Sequence, residues 1–167
     1  MSDELGQTCR NWWHQLTSVS TGQNRADLAR LRRADGVVAV LMIAAVHDLN
    51  DRLKATRHDL RQQPDRLALI ALSLAQIKTE TRQTVARRMG QGGPPALSGI
   101  RFNALIRARE PQTLITPLRR ALRVTGHVGN VALLSTDLYW WSDTTRARWC
   151  FDYYGAEAPD TLEETPA

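Results

Sequence analysis

The segment that most constrains this chain is 65–83, DRLALIALSLAQIKTETRQ. Leu67, Ile70, Leu74 and Ile77 recur at helical spacing, and Leu69 and Leu72 widen the stripe. A helix apolar over so much of its circumference belongs at the centre of a helical body. The rest of the chain then has to supply amphipathic helices that cover it.

Those helices are legible in order. Residues 3–17 place Leu5, Cys9, Trp12, Trp13 and Leu16 on one broad side. Trp12 and Trp13 offer a base-stacking platform in one reading, but their spacing favours core anchoring. Asn24 is the expected N-cap of a helix reaching about Ala34, with Leu28 and Leu31 inward and Arg25, Arg32 and Arg33 outward. After the Asp35–Gly36 break, 37–55 reads as one helix with Val40, Leu41, Ala44, Ala45, Leu49 and Leu53 toward the core. Residues 56–64 are a polar connection ending at Pro64. Residues 84–99 hold the clearest breakers, Gly90, Gly92, Gly93, Pro94 and Pro95, and read as a lobe boundary or a functional loop. Two further helices follow at 130–142 and 143–154, the second with Asp143 as a candidate cap. The expected fold class is all-α: a compact bundle of about seven to nine helices. It forms a single domain over 1–154, or two helical lobes divided near 84–99. From Gly155 an acidic tail with little to bury is expected to be disordered.

The stretch 98–124, SGIRFNALIRAREPQTLITPLRRALRV, reads as two helices joined at Glu110–Pro111. Phe102, Leu105 and Ile106 share one face of the first, and Arg107 points away from them. Leu114, Ile115, Leu118 and Leu122 form the stripe of the second. Arg120 and Arg123 lie opposite that stripe, and Arg119 flanks it. No Asp or Glu occurs between 111 and 136. Two readings stand side by side: a solvated charged face and a phosphate-binding face.

Charge bears on that choice. The chain carries 22 basic and 17 acidic residues, a net +5, and only Lys54 and Lys78 are lysines. Five of the acids follow Phe151, so residues 1–151 alone hold 22 bases against 12 acids. An arginine-rich body is suited to polyanions, because the guanidinium fork matches phosphate. No apolar run reaches the roughly 18 residues of a membrane span. The N-terminal sequence has neither the basic head nor the apolar run of a secretion signal, so a cytoplasmic protein with no membrane partner is expected. Cys9 and Cys150 are expected to be reduced thiols, and Cys9 with His14 alone makes no zinc site. His14, His47, His58, His127, Glu80, Glu110 and Asp137 form no catalytic motif, and Asp137 reads as a capping or salt-bridged residue. No cofactor, metal or catalytic residue is expected.

Three segments together carry a resemblance. They are the Trp12–Trp13 helix ending in QL with LRR at 31–33, RFNALIRA at 101–108 with LRRAL at 118–122, and DLYWW at 137–141 before an arginine-containing aromatic helix. Their order resembles the CasB family, the small subunit of the type I-E CRISPR surveillance complex, Cascade, over about residues 8–154. The resemblance implies an all-α protein with no catalysis of its own. It implies a head-to-tail pair with a second copy of itself, contacts to the backbone and large subunits of Cascade, and a grip on guide RNA, target DNA and displaced strand. The positions it matches are Arg32, Arg33, Arg101, Arg107, Arg119 and Arg120, with Arg146 and Arg148 on the last helix. Arg123 joins them from the helical wheel.

Other functions remain open at this level. A stand-alone helical DNA-binding regulator fits the helix pair at 101–124, although Pro111 is unlike the usual turn and few outward residues read bases. A structural adaptor whose arginines meet acidic protein partners is a further alternative.

Overall fold

The computed structural model describes residues 2–18 and 21–156. The acidic segment 157–167, most of the tail expected from Gly155 onward, lies outside them. Among the described residues are ten helices and two two-residue strands, so the all-α expectation is borne out. The helices are α1 (Ser2–Ser18), α2 (Gly22–Arg33), α3 (Val37–Leu41), α4 (Ala44–Ala55), α5 (Pro64–Ala75), α6 (Val85–Gly90), α7 (Gly99–Arg107), α8 (Pro111–Val124), α9 (Val131–Tyr139) and α10 (Asp143–Tyr154).

Helix α5 is the centre. Pro64 opens it at a first-turn position and Asp65 sits in that turn, where a negative charge suits the helix dipole. Every residue from Leu67 to Ala75 is buried. Helices α2, α3, α4, α8 and α9 pack around it. Helix α1 covers α9, and Gly6 lets the two approach: a Cβ there would stand 2.8 Å from the Ala132 carbonyl. Trp12 and Trp13 are buried, and their indoles donate to Ala45 O at 2.9 Å and Ile77 O at 3.0 Å. They are core anchors that also tie α1 to α4 and to the end of the central segment.

Several boundaries differ from the sequence expectation. The central helix stops at Ala75 rather than running to 83. Gln76 and Ile77 stay buried, and Thr79–Glu80 (β1) pairs in parallel with Val128–Gly129 (β2). Residues 37–55 form two helices, because Ile43 is extended between α3 and α4. That break shifts the phase: Ile43 and Val46 are buried while Ala44 is exposed. Thr21, and not Asn24, caps α2, accepting from Asn24 N at 3.0 Å. Ser142, one residue before Asp143, caps α10. The 84–99 stretch contains α6 and then a turn-rich connection closed by Leu97 N donating to Met89 O at 2.9 Å.

Candidate polyanion-binding groove

The hairpin of α7 and α8 is built as its sequence implies. Ser98 caps α7 by accepting from Arg101 N, and Pro111 opens α8 directly after Glu110. Phe102, Leu105, Leu114, Ile115, Leu118 and Leu122 are buried. Phe102 stacks on Tyr153 of α10 with ring centroids 4.0 Å apart.

On the other side of the hairpin lies a groove of about 260 Å³. Arg101 from α7 and Arg120 and Arg123 from α8 line it together with Leu97, Ala104 and Pro117. Pro117 lies inside α8, which continues unbroken through it, and has no N–H to donate to the preceding turn. All three arginines are exposed, and among the described residues none of their guanidiniums has a hydrogen-bond or ion-pair partner. Three free forks set among apolar side chains have the chemistry to pair with phosphate or carboxylate groups on a chain that also carries apolar groups.

The other arginines expected at the site divide in two. Arg33 and Arg107 are exposed and likewise lack a partner among the described residues. The remaining four are engaged within the fold. Arg32 donates to the Ala75 carbonyl at 2.9 Å and Arg119 to the Ala34 carbonyl. Arg146 donates to Ile106 O at 2.6 Å and pairs with Asp143 at 2.9 Å. Arg148 pairs with Asp137 at 2.6 Å.

Sequence reasoning missed this second use of arginine. Arg66 donates to the Leu138 and Tyr139 carbonyls at 2.7 and 3.0 Å, and Arg88 to Thr125 O at 3.1 Å. With Arg32, Arg119 and Arg146, these residues satisfy the terminal carbonyls of α9, α8, α5, α2 and α7. Such carbonyls have no partner within their own helix, and they sit at the negative end of its dipole. Burial pulls the guanidinium pKa of Arg32, Arg66 and Arg119 below arginine's ordinary value. An arginine stays protonated regardless. The bond to Asp137 pushes that of Arg148 upward.

Apart from Glu110, an exposed residue at the α8 N-cap that makes no side-chain cap bond, the acid and histidine candidates have structural partners as well. Glu80 pairs with Arg10 at 2.9 Å and lies 3.5 Å from His14. His47 bonds Leu41 O, His58 bonds Thr56 and His127 bonds Gln76 O. Asp137 is salt-bridged, as its sequence context implied. Among the described residues no three His, Cys, Asp or Glu side chains gather in a metal-binding arrangement, and no helix is long and apolar enough to cross a membrane.

Fold and groove thus define a small all-helical protein that displays free guanidiniums from a helical hairpin braced on its core. The chain belongs to the family of CRISPR-associated protein Cse2, whose model matches residues 27–154. This is the CasB family that the ordered motifs resemble. Among solved structures, the chain is similar to one in the crystal structure of E. coli Cascade bound to a PAM-containing dsDNA target. The two share 21% identity over 89% of this chain and 95% of that one, with a TM-score of 0.66. At that identity the likeness is one of fold. No curated protein matches the chain.

Proposed function

We propose that this chain, as a Cse2-family small subunit of the type I-E CRISPR surveillance complex, grips nucleic-acid backbone in the Arg101–Arg120–Arg123 groove and performs no chemistry itself. The observation that carries the reading is the convergence of three partnerless guanidiniums from two helices on one groove. Arg33 and Arg107 are further exposed cations without a partner among the described residues. The structure of a fold relative with Cascade on double-stranded target DNA supports the setting of guide RNA, target DNA and the other Cascade subunits as neighbours, to which the reading adds a second copy of this chain.

The mechanism is electrostatic. In RNA-guided recognition base pairing reads sequence, and exchanging a DNA duplex for a guide–target hybrid is nearly balanced in free energy. Guanidiniums that hold the hybrid or the displaced strand favour the opened state and slow reannealing. They bind phosphates, so they add affinity without sequence preference.

The test is target-DNA binding by reconstituted complex carrying Arg101→Ala, Arg120→Ala and Arg123→Ala together. With three phosphate-holding guanidiniums removed, the log–log salt dependence is expected to flatten by about 2–3. Unchanged affinity and slope would remove the groove from the mechanism. A purified sample that cleaved nucleic acid with magnesium or manganese would refute the non-catalytic assignment.

A further inference from the structure

The last described residue, Ala156, packs against the C-terminal end of α6. Its Cβ is 3.1 Å from where a Cβ on Gly90 would stand. Close by, Tyr153 donates through Oη to the Leu97 carbonyl at 2.6 Å. Leu97 is itself a groove-lining residue. The described chain therefore ends against Gly90, one residue from Met89, whose carbonyl accepts from the N–H of groove-lining Leu97.

Beyond Ala156 the sequence runs EAPDTLEETPA, residues 157–167. This segment carries Glu157, Asp160, Glu163 and Glu164, no base, and a single large apolar side chain, Leu162, set among the acids. The groove has the complementary make-up, guanidiniums interleaved with Leu97, Ala104 and Pro117. Eleven residues reach about 36 Å when extended, against about 21 Å for the whole length of α8, so reach is ample.

We propose that residues 157–167 seat in the α7–α8 groove of the same chain and hold it as a polyanion mimic until nucleic acid displaces them. Each carboxylate–guanidinium pair is weak at an exposed site. Tethering raises the local concentration of the segment to about the millimolar range, which makes the sum effective. The contact also weakens with salt, as exposed pairs do. The seating stands on geometry and charge alone, and its effect on nucleic acid rests on the backbone-gripping function proposed for the groove.

The experiment uses the full chain with Glu157→Gln, Asp160→Asn, Glu163→Gln and Glu164→Gln. A fluorescein-labelled peptide EAPDTLEETPA added to this neutralised chain at low salt is expected to give saturable anisotropy. The signal is expected to vanish when Arg101, Arg120 and Arg123 are also changed to Ala. In parallel, the neutralised chain is expected to bind labelled single-stranded oligothymidylate on the order of fivefold more tightly than the native chain, with the gap closing as salt rises. No peptide binding, or binding that survives the triple arginine change, overturns the seating. Equal DNA affinity of native and neutralised chains overturns the masking. Peptide binding with no DNA binding by either chain sustains the seating and sinks the backbone-gripping reading instead.

Discussion

Trp149 Nε1 donates to the Asp137 carboxylate at 2.8 Å, with both residues buried. Arg148 meets the same carboxylate at 2.6 Å from a half-exposed position. One acid thus ties α9 to the start of the final aromatic packing, where Trp149 also meets Trp141 edge-on at 5.0 Å. Asp137→Ala leaves an indole N–H buried without a partner. Unfolding by urea is expected to register a loss of about 2–3 kcal/mol, and Trp149→Phe a smaller one. Equal stability of Asp137→Ala and the native chain would deny the bond any structural weight.

Adjacent arginines are expected to behave oppositely. Arg119 caps the Ala34 carbonyl, whereas Arg120 lines the groove. Arg119→Ala should lower stability by about 1–2 kcal/mol. Arg120→Ala should change stability by less than about 0.5 kcal/mol, as an exposed substitution does, and should weaken nucleic-acid binding. Thermal melts and salt titrations on the two variants check the split.

Gly90 ends α6 where a Cβ would clash with the Tyr153 carbonyl. Gly90→Ala is expected to push α10 off α6 at a cost of about 3 kcal/mol, read as a lowered denaturation midpoint. Because Tyr153 also contacts Leu97, the same variant should disturb the groove wall.

Cys9 is buried, and burial pushes its thiol pKa from 9.0 up to about 11, partly offset by a hydrogen bond with Ser135. Iodoacetamide at mildly alkaline pH should label the half-buried Cys150 first and Cys9 only after unfolding. The folded thiol pKa lies above the unfolded one, so the unfolded chain releases its proton earlier as pH rises. Stability from this group is therefore intact below about pH 9 and falls toward pH 11, by at most about 1.4 kcal/mol per pH unit. A Cys9→Ala chain should lack that alkaline slope.

What was legible from the sequence was what repeats at short range. Phe102, Leu105, Leu114, Leu118 and Leu122 are buried as their spacing implied, and the Glu110–Pro111 boundary falls where proline chemistry puts it. The end of α5 was hidden because Gln76 and Ile77 stay buried after the helix stops, so the apolar rhythm outlasts the backbone geometry. The break at Ile43 carries no glycine or proline. For the arginines, the wheel separates outward from inward, but it is blind to a carbonyl far away in sequence. Arg32 and Ala75 are 43 positions apart, and Arg119 and Ala34 are 85 apart. Composition therefore counted capping cations together with groove cations.

The capping arginines form a relay. Arg88 of α6 holds the end of α8, Arg119 of α8 the end of α2, Arg32 of α2 the end of α5, and Arg66 of α5 the end of α9. Any load applied at Arg120 or Arg123 would fall on a helix that packs against α5 and is tied to it again through α2. Tension arriving at the rim is shared across five helices instead of peeling the outermost one away.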